Sequence, residues 1–337
     1  MIARLQQILT LLLLFAATVA VLLLVGLGHP WCALTVVAVA ALGHVAVLSI
    51  EFLLLTLVAR PRPSWRAGGW MMLRALVGEA LHAPRAFCWR QPFRSQKWPD
   101  SLPPSPGSRR GVVLVHGLLC NRGFWNPWMA RFHADGTPFI AVNLEPIGGL
   151  IDEDLFTIDA AVSTMTRATG QVPLIVGHSR GGLVIRAWAA ERGNLGRIQR
   201  IVTIGTPHSG TWLARFAASR GAAEMRLDSP WLASLRARES ADSYAVFTCF
   251  FSRCDNIVFP APTATLPGAD NREVAASAHI QMAFAPEVFA EVQRCLADDM
   301  APVTSKIERR RARGHQHSVS LSNKASGASS ADAATRR

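Results

Sequence analysis

The pattern of apolar and polar positions changes three times along the chain. Ile8 to Leu27 (ILTLLLLFAATVAVLLLVGL) carries no charge over about 20 residues, enough for a helix to cross a hydrocarbon layer of roughly 30 Å. Gly28-His29-Pro30 interrupts it, and a second apolar run extends from Trp31 to Ala59, broken only by His44 and Glu51. So short a connection leaves room only for a tight helical hairpin. A cleaved signal peptide is the competing reading, because Arg4 precedes the apolar stretch. That stretch is longer than the usual h-region of about 7 to 15 residues, and no small-x-small cleavage site precedes the next apolar run. Two retained transmembrane helices are therefore expected within residues 1–60.

A mixed segment follows. Trp70, Met71, Met72, Leu73, Leu76, Leu81, Phe87 and Trp89 are interleaved with Arg74, Arg85, Arg90 and Arg94. Such a stretch suits a helix lying in the lipid headgroup region with its cations toward anionic lipid. Packing against the domain that follows explains the pattern equally well. Asp100 to Gly107 (DSLPPSPG) reads as a linker.

From Gly111 the pattern changes to short, apolar, β-branched runs separated by longer helical stretches. Val112 to Val115, Pro138 to Leu144, Val172 to Gly177, Ile198 to Ile204 and Phe247 to Phe251 read as strands, and Ile158 to Ala168 and Leu183 to Arg192 as helices between them. Alternation of this kind predicts an α/β domain, a mostly parallel sheet covered by helices on both faces. Gly314 to Arg337, rich in Ser, Ala and Gly and lacking aromatics, has too little apolar surface to fold by itself. The expected organisation is a hairpin at 1–60, a basic juxtamembrane segment and linker at 61–110, the α/β domain at 111–302 and a disordered basic tail at 303–337.

Charge sharpens this division. The 337 residues carry a net +12, but residues 1–58 net zero, 59–111 net +8, 112–302 net −2 and 303–337 net +6. The basicity flanks the domain, so a nucleic-acid-binding core is excluded. Arg4 precedes the first helix, Arg60, Arg62 and Arg66 follow the second, and the turn between has no cation. The positive-inside rule then places both ends, and the domain, on the cytoplasmic side of the inner membrane. Glu51 is read as a side chain reaching toward the interface, about two and a half turns from Arg60, in preference to a functional intramembrane carboxylate.

The chemistry centres on Gly177-His178-Ser179-Arg180-Gly181-Gly182, between a strand and a helix. This is the Gly-x-Ser-x-Gly nucleophile elbow in its required context, with Gly177 and Gly181 giving room for a strained turn that lifts Ser179 to the rim of the sheet. A serine nucleophile needs a base, an acid that orients the base, and donors for the oxyanion. In this architecture the chain order is serine, acid, histidine. Of the histidines after Ser179, His315 and His317 fall in the tail, and His208 precedes every acid candidate, which leaves His279. Asp255 follows the strand-like Phe247 to Phe251 and is the preferred acid, with Asp270 the runner-up. The backbone N–H groups of Leu118, in Val115-His116-Gly117-Leu118-Leu119, and of Arg180 are the expected oxyanion donors, and His116 is read as bracing its loop.

The combination of VLVHGLLCNRGFW, GHSRGG, IVTIGTPHSGTWLA and the late Asp255 and His279 resembles the bacterial triacylglycerol lipases and esterases of the α/β-hydrolase superfamily over roughly residues 111–295. That resemblance implies a Ser179, Asp255, His279 triad with Leu118 and Arg180 at the oxyanion hole. The chain departs from secreted members in its hairpin, and no calcium site or disulfide pair stands out. Ser179 and Asp255 are 76 residues apart, and the excess lies in Trp212 to Tyr244, where a small cap is expected over the site. The six cysteines lack metal-like spacing, and a cytosolic domain keeps them reduced.

The sequence thus points to a membrane-anchored serine hydrolase of carboxylic esters that uses no metal or cofactor, acts on a lipid or other ester, and has the bilayer as its partner. Acyltransferases and thioesterases use the same constellation. A transport or scaffold component whose domain only binds is the reading from another class, for which two helices make a meagre permeation path.

Overall fold

A computed structural model of the chain describes residues 1–107, 109–191 and 193–298. The expected tail at 303–337, with His315 and His317, and residues 299–302 at the end of the expected domain lie outside the described residues.

Two long helices come first, α1 (Ile2–Gly26) and α2 (Pro30–Ala59), then α3 (Gly69–Pro84), a wide helical turn over Arg85–Arg90 and α4 (Gln91–Arg94). The domain comes next as β1 (Val112–Val115), α5 (Asn126–Ala134), β2 (Phe139–Ala141), α6 (Leu155–Thr169), β3 (Leu174–His178), α7 (Arg180–Ala190), β4 (Arg200–Ile204), α8 (Arg220–Ala223), α9 (Pro230–Arg238), β5 (Phe247–Phe251), β6 (Asp270–Glu273), α10 (His279–Met282) and α11 (Pro286–Ala297). The sheet runs β2-β1-β3-β4-β5-β6 with every neighbouring pair parallel.

Strand alternation sorts the core into two layers. Val113, Val115, Ile175 and Ile201 pack with Ile158 and Val162 of α6 and Leu183 and Trp188 of α7. Their neighbours Val112, Leu114, Val176 and Val202 pack on the other face with Trp128 and Phe132 of α5 and Val288 and Phe289 of α11. Both faces of the sheet are therefore covered, as the near-continuous apolar runs of β1, β3 and β4 require.

Sequence periodicity misses β6. Its residues, Asp-Asn-Arg-Glu, alternate between half-buried and exposed at the sheet edge, where polar side chains are tolerated and no apolar run marks a strand. The expected start of α7 at Leu183 is three residues late, because the helix begins in the glycine-rich elbow. Asp100 to Gly107 is less of a free linker than its composition suggests: Ser101 exchanges two backbone hydrogen bonds with Phe139, at 3.0 and 2.9 Å, extending pairing beyond the edge strand β2.

The two long helices are each apolar and long enough to cross a membrane, with mean hydropathies of 3.0 and 2.3 over their most apolar windows. At 1.5 Å per residue, the 30 residues of α2 span about 45 Å, well beyond a hydrocarbon thickness of roughly 30 Å. The surplus is at its C-terminal end, where Phe52 and Leu55 are buried against Ala75 of α3 and Cys254, Phe259 and Ala278 of the domain. Near the start of α1, the Gln6 Nε2 donates to the Leu119 carbonyl at 3.1 Å. The hairpin is thus fastened to the domain through both of its legs.

Residues 61–110 pack against the domain, as one of the two readings of their composition expected. One face of the stretch from α3 to α4 is built into the domain, with Ala75, Glu79, Ala86 and Gln91 buried. The other leaves Trp70, Leu73, Val77, Leu81 and Trp89 exposed.

Candidate active site

The elbow conformation is present. Ser179 has φ 54° and ψ −127°, a left-handed backbone value rare for a residue with a side chain. It is fixed from both sides, with the Ser179 N–H donating to the Ile204 carbonyl of β4 at 2.9 Å and the Gly182 N–H to the Ser179 carbonyl at 3.0 Å. The flanking glycines are sterically required. A Cβ on Gly177 would lie 2.8 Å from the Gly182 backbone nitrogen, and one on Gly181 would collide with the backbone oxygen of His116.

His279 opens α10 and Asp255 lies in the loop after β5, and the two meet at the same rim of the sheet. His279 Nδ1 is 3.0 Å from each carboxylate oxygen of Asp255. Asp255 Oδ1 also accepts the N–H groups of Ile257 and Val258 at 2.9 and 2.8 Å, so backbone donors aim the carboxylate before it touches the histidine. Both side chains are buried. Burial alone pushes the His279 imidazolium down; the Asp255 carboxylate, followed by Glu79 and Glu51, more than offsets it, and the net direction is upward from 6.5. Asp270, the alternative acid, is excluded by position. It pairs with Thr248 near the start of β5, and its carboxylate is taken by Arg272 at 2.7 Å.

Ser179 and His279 line one cavity of about 340 Å³. Leu118 and Leu119, from the loop after β1, form one side; Leu213 and Met225, from the Trp212 to Tyr244 excursion where a cap was expected, form another. A third wall comes from the N-terminal segment, with Leu48 and Glu51 of α2, Glu79 and Ala83 of α3, and Phe87, and Ile257 and Val258 complete the lining beside Asp255. Leu232 and Leu235 of α9, by contrast, are buried in the domain core. The lining is predominantly aliphatic, with its polar groups gathered around Ser179 and His279.

Arg180 begins α7 immediately after Ser179, leaving its backbone N–H at the electropositive start of the helix. Its side chain turns away, pairing with Asp154 at 2.7 Å and donating to the carbonyls of Gly149 and Leu150 at 2.9 and 3.1 Å, which pins the loop ahead of α6. His116 braces its loop as expected: its Nδ1 lies 2.9 Å from the Gly117 carbonyl and its Nε2 accepts the Leu144 N–H at 3.1 Å. Burial pushes it down to about 4, which keeps it neutral. His208 is fully buried, 3.0 Å from Thr203 Oγ1, and is not among the residues that line the cavity.

Several contacts in the site escaped the sequence reading, among them the one that the elbow residue His178 makes with His279. His178, within the elbow, places Nε2 3.1 Å from the His279 carbonyl and packs its ring 4.5 Å from the His279 ring centroid; burial first, then the neighbouring His279, drive it well below 6.5. Asn256 accepts the His279 N–H through Oδ1 at 3.1 Å and donates through Nδ2 to Glu51 at 2.6 Å. Glu51 therefore reaches into the site, where the sequence favoured an interfacial side chain. Glu79 accepts the N–H groups of Ile280 and Gln281, and burial raises it to about 7. A signal for Glu79 did exist, as it is one of only two acids between residues 59 and 111, set in a run of ten cations.

Among the described residues no group of three or more His, Cys, Asp or Glu side chains forms a candidate metal site, and all six cysteines are free thiols.

Comparison with solved structures gives the same architecture. Aspergillus fumigatus lipase B aligns at 18% identity with a TM-score of 0.52, covering 60% of this chain and 56% of that one. The Bacillus licheniformis lipase BlEst2 in its propeptide form aligns at 17% identity with a TM-score of 0.50, covering 60% of this chain and 53% of that one. This chain thus spans little more than half the length of either, and identities this low establish the fold alone. A comparison with curated protein sequences returns no match. The family model described as the alpha/beta hydrolase family matches residues 112–320, more than half of the chain, and with the parallel sheet and the elbow in place the protein belongs to that family.

Proposed function

We propose that the protein is a membrane-anchored serine hydrolase that cleaves carboxylic esters, with Ser179 as nucleophile, His279 as general base and Asp255 as the acid that orients and stabilises the histidine. The observation that carries this reading is the Asp255 to His279 pair, at 3.0 Å, lining the same aliphatic cavity as the left-handed Ser179. His279 takes the hydroxyl proton as Ser179 Oγ attacks the ester carbonyl, and the tetrahedral oxyanion rests on the N–H groups of Leu118 and Arg180. Collapse breaks the ester C–O bond. The leaving alcohol takes the proton from His279, and the acyl group remains on Ser179. Water, deprotonated by the same histidine, then attacks the acyl-enzyme and releases the carboxylic acid, restoring the serine.

The apolar lining favours an acyl group over a polar one, and the scheme requires neither metal nor cofactor. The test is turnover of p-nitrophenyl esters by the full chain in detergent. A burst of p-nitrophenol stoichiometric with enzyme is expected if the acyl-enzyme accumulates, and absence of turnover across all chain lengths contradicts the reading.

The hairpin and its flanking cations support anchoring in the inner membrane with the domain toward the cytoplasm. Protease added outside sealed, right-side-out vesicles should leave the domain intact; cleavage there without permeabilisation reverses the orientation.

A further inference from the structure

The helical hairpin is more than a tether. Between α1 and α2 lies a groove of about 820 Å³, bounded by Leu13, Ala17 and Ala20 on one helix and Val36, Ala40 and His44 on the other. Small residues at Ala17 and Ala40 leave this space open, since they bring no side-chain bulk to fill it. Its polar side chains are already engaged: Thr35 Oγ1 donates to the Trp31 carbonyl at 3.0 Å, and His44 Nε2 lies 3.1 Å from the Ala80 carbonyl. The space therefore offers hydrocarbon surface and no demand for water or an ion.

Its position gives it a role. The groove extends from Thr35, five residues into α2, to His44 at the middle of that helix, about 14 Å at 1.5 Å per residue. It reaches His44, one helical turn from Leu48, which lines the catalytic cavity; residues four apart share a helix face. Ala83 and Phe87 belong to the walls of both spaces. The two cavities thus adjoin across one aromatic ring and one methyl group, and the outer one opens at bilayer depth.

We infer that this groove is the acyl-chain site of a membrane-resident lipid ester, which reaches Ser179 sideways from the bilayer between α1 and α2. The inference rests on the ester-hydrolase reading and specifies its substrate class: an ester whose long acyl chain stays in an apolar phase while its carbonyl enters the catalytic cavity. No bond changes in the groove itself. A long chain transferred from lipid into it exchanges one hydrocarbon environment for another, and so avoids the cost of crossing water that a soluble enzyme imposes.

Two substrates with the same leaving group test this on the full chain in phosphatidylcholine vesicles: p-nitrophenyl palmitate dissolved in the bilayer and p-nitrophenyl butyrate in solution. Ala17→Phe and Ala40→Phe, one on each helix, fill the groove. Each is expected to lower the ratio of palmitate to butyrate kcat/KM at least tenfold, whereas Val47→Phe, exposed outside the groove, changes it less than twofold. Cys88 also lines the groove and is exposed, so alkylating it with a bulky maleimide in Cys32→Ser protein blocks the space after folding and should give the same selective loss. A ratio within twofold of wild type in the folded groove variants and the alkylated protein overturns the inference, even with hydrolysis intact. Failure of wild type to turn over either ester overturns the hydrolase reading on which it rests.

Discussion

Glu79 holds the backbone N–H of Ile280, the residue after His279, with Oε1 at 2.9 Å and Oε2 at 3.1 Å. A carboxylate from α3, ahead of the hydrolase fold, is thereby fixed beside the histidine at the centre of the site. The same carboxylate accepts the Gln281 N–H at 2.9 Å, so it anchors the first turn of α10 and adds negative charge where an imidazolium forms.

The electrostatic part of that role is separable by pH. The nearby anions raise the His279 pKa above 6.5, and the base must be neutral to act, so activity falls on the acid side as His279 protonates. Glu79, raised to about 7 by burial, is partly ionised in this range, and Glu79→Gln removes that charge while keeping an acceptor for Ile280, so the His279 pKa should drop. The acidic limb of kcat/KM against pH is expected to move to lower pH. An unmoved limb in a folded variant removes Glu79 from the electrostatics of the site.

Asp255 is held by two backbone donors as well as by His279, so Asp255→Asn should leave the fold in place while destroying the tautomer and charge that His279 needs. A loss in kcat of about 10³ to 10⁴ is expected, with KM changed little. Steady-state kinetics on a soluble ester decides this; a loss below tenfold would point to another acid.

Away from the chemistry, Arg186 of α7 makes a forked pair with Glu239, Nε to Oε1 at 2.8 Å and Nη2 to Oε2 at 2.7 Å, and Nη1 donates to the His208 carbonyl at 2.6 Å. Both side chains are nearly inaccessible, at 2% and 4%. Arg186→Met strands a buried carboxylate and should destabilise the domain by about 3–5 kcal/mol in denaturant unfolding. Arg186→Met with Glu239→Leu should recover part of that loss; no recovery would place the cost in packing instead.

How far the sequence reached depends on the kind of signal each feature leaves. β1 and β5 could be bounded to the residue because Val112–Val115 and Phe247–Phe251 are compact apolar runs, and Ser179 was marked by two glycines that close packing demands. Asp255 and His279 were reached through chain order, and the structure brings them together. β6 left no signal because an edge strand of polar residues has no apolar period. Glu51, Glu79 and Asn256 were missed for a different reason, although Glu79 stood out among its cations. Their part in the site depends on α2 and α3 folding back over the rim, a long-range arrangement to which neither periodicity nor spacing is sensitive, and a membrane-side glutamate read in isolation looks like one reaching for water.

The central claim is that Ser179 is the nucleophile of an ester hydrolase. The direct measurement is labelling by a fluorophosphonate probe, read alongside ester turnover, in wild type and Ser179→Ala carried in the same membranes. The account predicts that wild type is labelled at Ser179 and turns over ester, and that the variant, folded and membrane-bound, does neither. Undiminished turnover by Ser179→Ala would contradict it.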